Sequence, residues 1–336
     1  MKKGSFYIRI AVSLLLTLLF IWIAFREKDL GELTNTMLRQ PLIWFVGLFA
    51  LHTFSHLLRA IRWKILIEPV KKDISLHAAF SSLMIGFMIN GILPRAGELV
   101  RSYVLGKKEH IPTSALLSTV ILERLLDFIS FATVLLTVVI LNVESIMLWF
   151  PFLSGTEWVL YIIASFLFIL FITLFLTSGI VFSFVKKISA LAPSASRKKI
   201  DGIMDSFIHG FQASTEQKNY GIIALLTFSI WFTYIVLLYL PFRLFGMTDL
   251  TMLSAATLQI SSGIASAMPT PNGIGSYHSF IAITLEQVFH INESTALAYV
   301  VYTHAILYLC PLLIGSGYLL KENIRFSELM KANREE

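Results

Sequence analysis

Charge and cysteine are what this chain of 336 residues has least of. Asp, Glu, Lys and Arg together make up 14% of it, and Cys310 is its single cysteine. Soluble domains carry about 25% charged residues. So little charge beside 56% hydrophobic residues excludes an ordinary water-facing surface and points to an integral membrane protein. One thiol excludes an intrachain disulfide and a thiolate metal cluster. Also missing are a P-loop, a Gly-x-Ser-x-Gly elbow and a His-Glu-x-x-His helix. ATP-driven work and the common hydrolase chemistries have no residues to rest on, and the polar segments are too short for a soluble catalytic module.

What the chain does have is long apolar runs. Six can cross a bilayer, at roughly 6–25, 42–58, 117–141, 158–182, 219–241 and 297–320. The opening "MKKGSFYIRIAVSLLLTLLFIWIAF" mimics a signal peptide. Its apolar part runs about twenty residues with no small-residue cleavage site, so an uncleaved first span is expected. Two further runs, about 77–93 and 252–290, are broken by Pro, Gly and polar residues. Suppose the N-terminus is cytoplasmic and each broken run leaves on the side it entered. Then, of all Lys and Arg, only Arg26, Lys28, Arg39 and Arg243 face outward, the bias that short cytoplasmic loops impose. A full crossing by 77–93 would move Arg95, Arg101, Lys107 and Lys108 outside and spoil that bias. The net charge of +6 is thereby placed without nucleic acid.

The expected fold is an all-α polytopic membrane protein, one transmembrane domain over 1–336 with both termini cytoplasmic. It has about six full spans plus two re-entrant or broken helical hairpins, about 77–115 and 252–290, entering from opposite sides. Broken segments at corresponding places in oppositely oriented halves point to a transporter-like site near the midplane. "NGILPRAGELVRS" and "SAMPTPNGIGSYHS" share Pro and Gly placement, compatible with an inverted repeat.

Four constellations follow. In "NGILPRAGELVRSYVL", from Asn90, Pro94 and Gly97 free backbone groups that hydrocarbon cannot satisfy, while Arg95, Glu98 and Arg101 crowd the same stretch. An ordinary cytoplasmic loop with a surface ion pair is the bland alternative. In "STVILERLLDFISF", Glu123, Arg124 and Asp127 interrupt an apolar span. Ions there cost on the order of 3 kcal/mol or more and must face a bundle interior, paired; Arg95 or Arg101 are the expected partners. A charge lattice that only locks the hairpin to its neighbour fits as well as a functional one. In "MPTPNGIGSYHSF", Pro269, Pro271, Gly273 and Gly275 break the helix. A restart at about Ser276 would aim free N–H groups at the cavity, a place for phosphate; a tight external turn is the alternative. Finally His52, His56 and Arg59 share a helical face. The His pair could ligate metal or haem, with His304 as one possible partner, but no metal and no cofactor are expected. Arg59 and Arg62 read as snorkelling to the cytoplasm. At 185–218, Ile200, Ile203, Met204, Phe207, Ile208 and Phe211 recur at helical spacing after "RKK", an amphipathic cytoplasmic segment suited to the inner leaflet and equally to packing on the cytoplasmic ends of the spans.

"NGILPRAGELVRSYVL", "ILERLLD" and "PTPNGIGSYHS" together resemble the family named after the transmembrane region of lysylphosphatidylglycerol synthase, also called flippase-like, over about residues 10–320. In bifunctional members this region flips an aminoacylated phospholipid made by an attached synthase domain. No such domain is expected here, so the resemblance implies lipid handling without lysyl transfer. Pro94, Arg95, Gly97, Glu98, Arg101, Glu123, Arg124 and Asp127 match the family's polar motif. Many relatives read Pro-x-x-Gly-Gly-Ile-Gly with a Glu three residues later; here Asn272 replaces a Gly and His278 stands at the Glu position. The expected activity is transport of a phospholipid or other anionic amphiphile between leaflets of a bacterial cytoplasmic membrane. The expected partners are membrane lipids and a separate lipid-modifying enzyme. The rival expectations are a membrane-embedded transferase on a lipid or polyprenyl phosphate, and a scaffold for a separate lipid synthase.

Overall fold

The computed structural model describes residues 3–26, 30–149, 158–170 and 219–322, with isolated positions at 155, 172, 173 and 205. The amphipathic segment expected at 185–218, apart from position 205, and the end of the apolar run at 158–182 lie outside the described residues. Among those residues the chain is helical and has no strand. The helices are α1 (Lys3–Phe25), α2 (Leu30–Leu38), α3 (Leu42–Ile67), α4 (Leu76–Asn90), α5 (Gly97–Glu109) and α6 (Thr113–Trp149). Then come α7 (Trp158–Leu170), α8 (Tyr220–Leu244), α9 (Met252–Ala267), α10 (Ser276–Ile283) and α11 (Glu293–Lys321). Among the described residues, α3, α6, α8 and α11 are long and apolar enough to cross a membrane. The 26 residues of α3 reach about 39 Å at the α-helical rise, against a hydrocarbon core of about 30 Å.

The interior is largely apolar, and so is the surface, unlike that of a water-soluble bundle. Leu15 and Leu18 of α1, Leu42 and Ile43 of α3, Leu141 of α6 and Leu225 and Phe228 of α8 are exposed, whereas Arg62, Arg101 and Glu123 are buried. An apolar outside is a liability in water and a requirement in lipid, where no water drives it inward. The interior then has to satisfy its charges itself.

Two broken segments lie along α11. Asn90 ends α4, and its Oδ1 accepts from the Gly97 N–H at 2.7 Å, capping the otherwise unpaired start of α5. Between them Arg95 is held at φ 64°. The two arms approach so closely that a Cβ on Gly97 would strike the Gly86 carbonyl and the Asn90 side chain. In the second segment, Thr251 and Ser254 cap α9 reciprocally. The helix stops at Ala267, because Pro269 and Pro271 can neither donate nor fit a continuing turn. A single turn at Pro271–Gly273 leads through Gly275, at φ 83°, into α10.

Contacts along α11 order the two segments. Tyr318 meets His77 and Phe80 at the foot of α4. Gly315 lies against the Met84 carbonyl, and the Tyr308 ring lies against Gly91. One turn further back, His304 Nε2 is 3.1 Å from the Asn272 carbonyl, and Tyr277 donates to Thr303 at 3.2 Å. The hairpins are therefore end to end on one helix, with their tips meeting beside residues 304–308, near its middle. Arg95 Nη2 closes the seam by donating to the Ala267 carbonyl at 2.6 Å. On its other side α10 packs on α1, where Ser279 donates to the Phe20 carbonyl.

Candidate functional site

Three helices bring their charges to one buried lattice. From α6, Glu123 and Asp127 point inward one turn apart; from α3, Arg59 and Arg62 meet them; from α5, Arg101 completes it. Arg59 Nη2 bonds Glu123 Oε1 at 2.6 Å and Asp127 Oδ2 at 2.7 Å, and its Nη1 donates to Tyr234 of α8 at 2.9 Å. Arg62 bonds Asp127 Oδ1 at 2.7 Å and Thr227 of α8 at 3.0 Å. Arg101 donates to Glu123 Oε2 at 2.9 Å, with its guanidinium 4.8 Å from the centre of the Trp63 ring. Trp63 is fixed in turn by its indole N–H to Thr119. All four carboxylate oxygens are thus occupied by guanidinium. Charge-assisted pairs of this kind are the strong ones, and desolvated charges demand them.

Full occupancy on the acidic side is not matched on the basic side. Among the described residues, Arg101 Nε and Nη2, Arg62 Nε and Arg124 Nε are buried without a hydrogen-bond partner, as is Glu98 Oε2, one turn before Arg101. Arg124, one-third exposed, borders the lattice 3.6 Å from Asp127. Among the described residues, Arg59, Arg62, Arg101 and Arg124 stand against Glu98, Glu123 and Asp127, which leaves one positive charge in excess. Buried polar groups are almost always paired, so orphaned guanidinium N–H groups beside a surplus positive charge describe a place for an anion.

Of the partners expected for the α6 carboxylates, Arg101 is one and Arg95 is not. Arg95 instead ties the two hairpins. Arg59 and Arg62, expected to snorkel outward, turn inward, because Glu123 and Asp127 offer more than headgroup water can in this bundle. The overlooked signal was spacing: cations one turn apart on an apolar helix mirror carboxylates one turn apart on another. Asn90 and Gly97 shape the hairpin through the bond between them. Pro94 lies in the turn between α4 and α5.

The second candidate region is separate from the lattice. The start of α10 is sewn up by its own side chains: Ser276 Oγ is 2.8 Å from Thr270 Oγ1 and donates to the Ala265 carbonyl, and the Gly275 N–H donates to His278 Nδ1 at 3.4 Å. His278 and His304 have ring centres 4.6 Å apart. That is also why His304 is no partner for the His52–His56 pair. Pro269, Pro271, Asn272 and Gly273 shape the tip that rests on α11.

The family model described as the lysylphosphatidylglycerol synthase TM region matches residues 10–315. A UPF0104 membrane protein of Methanothermobacter thermautotrophicus is 25% identical over 301 residues, 84% of each chain. One from Methanocaldococcus jannaschii is 23% identical over 321 residues, covering 90% of this chain and 92% of that protein. A second from the same organism is 25% identical over 242 residues, 70% of this chain and 95% of its own. No solved structure matches the chain.

Proposed function

Since the chain belongs to the lysylphosphatidylglycerol synthase transmembrane-region family, we propose that it moves a phospholipid, or another amphiphile with a phosphate in its headgroup, between the leaflets of a cytoplasmic membrane. The observation that carries this reading is the arginine lattice: carboxylates saturated, guanidinium N–H groups of Arg101 unspent, one positive charge uncompensated. A phosphodiester brings one negative charge and acceptor oxygens suited to a guanidinium fork. Arg101 and Arg124 are its proposed contacts, Arg59 and Arg62 hold the carboxylates that position Arg101, and Arg95 releases Ala267 when the hairpin tips part. Glu98, half-buried with one sheltered oxygen free of hydrogen bonds, is proposed to read a cationic group on the same headgroup. Asn90, Pro94, Gly97, Pro269, Pro271, Asn272, Gly273, Gly275 and His278 act by shaping the two tips that must separate. The termini are proposed to face the cytoplasm. A separate lipid-modifying enzyme is a natural supplier of the cargo.

The transferase reading gains no base from the lattice. A general base must reach a substrate proton, and Glu123 and Asp127 are held in ion pairs with Arg59, Arg62 and Arg101; Glu98 is the carboxylate with an oxygen left over. The test is leaflet exchange of headgroup-labelled lipids in liposomes bearing the purified protein, run beside empty vesicles, with the mass of recovered lipid measured. Exchange selective for phosphate lipids, unchanged mass, and loss in Arg101→Gln support the reading. Exchange indifferent to that substitution, or a new chemical product, overturns it.

A further inference from the structure

Outside the arginine lattice, three donor side chains converge on one buried point. His52 and His56, one turn apart on α3, face Cys310 of α11, and a donor atom from each of the three lies within 4.8 Å of the others. The histidines are 5% exposed and Cys310 is fully buried. The two Nε2 atoms are 3.1 Å apart, a separation that fits two imidazoles each about 2.0 Å from a common ion. The surroundings hold the donors in place. Pro311 has no N–H for the Leu307 carbonyl one turn before it, and the Leu307 backbone hydrogen-bonds the His52 ring. A backbone bond to a ligating imidazole is a usual support of a metal ligand. Thr53 lies 3.3 Å from the Cys310 sulfur, and Phe87 closes over His56 with ring centres 4.9 Å apart.

We infer that His52, His56 and Cys310 form a binding site for a copper(I) ion. Two imidazoles and a sulfur suit copper or zinc, and charge and coordination number choose between them. Copper(I) with one thiolate and two neutral imidazoles is a net-neutral unit, content with three donors. Zinc(II) would leave a net positive charge in a low-dielectric interior, one turn from Arg59, and asks for a fourth ligand. On binding, the Cys310 thiol proton leaves to solvent as the copper–sulfur bond forms. Whichever imidazole carries its proton on Nε2 moves it to Nδ1, so both Nε2 lone pairs face the ion. The site lies level with the seam between the hairpin tips, and an ion there pins α3, which carries Arg59 and Arg62, to α11, which carries both hairpins. It stands apart from the proposal about lipid movement.

The test is an anaerobic titration of the purified full chain with copper(I) against bicinchoninate, followed by X-ray absorption. One ion per chain, with one sulfur and two nitrogen neighbours, is expected. Cys310→Ser and His56→Gln should each weaken binding more than about tenfold, and His110→Gln, in an exposed turn, should leave it intact. Failure of the monodisperse wild-type protein to take up copper, preference for zinc(II) over copper(I) in the same competition, or unchanged uptake by Cys310→Ser overturns the inference. Because uptake of metal is the readout, the result does not depend on whether any lipid moves.

Discussion

At the scale of single residues, the lattice around Glu123 decides what each charge is worth. Glu123 is fully buried and meets Arg59, Arg101 and, at 3.4 Å, Arg62. Removing a buried partner strands the others, at a cost of about 3–5 kcal/mol. Glu123→Ala should therefore lower the thermal unfolding temperature in detergent sharply. Arg124→Ala, with a side chain one-third exposed and contacts of 3.6 and 4.0 Å, should cost less than about 1 kcal/mol. Equal losses in the two variants would contradict this ranking. The carboxylates were legible in the sequence because a charge in mid-span has no cheap explanation. Arg59 and Arg62 were not, because close to the end of a span the same residues also suit a headgroup layer. Only the packing of α3 on α6 separates these cases. Cys310 was opaque for a different reason: its nearness to His52 spans 258 positions of chain and leaves no local pattern.

At the scale of elements, the first hairpin rests on the meeting of Gly86 and Gly97. Gly97→Ala forces its new methyl into the Gly86 carbonyl, and overpacking of this kind costs about 1–3 kcal/mol. The arms should splay, which hydrogen exchange across 86–97 would register as lost protection. Arg95→Ala should act differently. Among the described residues its side chain makes one bond, to Ala267 of the other segment, so faster exchange is expected at both tips with little change in the unfolding temperature. Protection that stays unchanged at residues 268–275 would show that the tips are held by something else. Where the helices break was legible in Pro94, Pro269 and Pro271, since proline's missing donor acts locally. That the breaks meet was not, because it depends on both segments choosing the same side of α11.

At the scale of the whole molecule, the fold is helical, apolar on its outside as well as in its core, and organised on α11. The buried state of Cys310 makes a direct test of orientation possible, because the native thiol should stay silent to an impermeant maleimide. A cysteine at Asp249, an exposed position, should label from outside intact cells; one at His110, also exposed, should label only after permeabilisation. Labelling of both from the same side would refute the proposed topology. The end-to-end hairpins also have an electrical meaning. Non-helical backbone at the tips requires protein or water around it. Water reaching the tips from each face would carry the two bulk potentials to either side of the seam. That seam corresponds to residues 304–308, about 6 Å of α11, a fifth of the hydrocarbon thickness of about 30 Å. The transmembrane voltage would then fall across this short step, where a charge crossing 100 mV gains or loses about 2.3 kcal/mol. A headgroup with net charge should pass at a rate set steeply by membrane potential, and a zwitterionic one at a rate nearly indifferent to it.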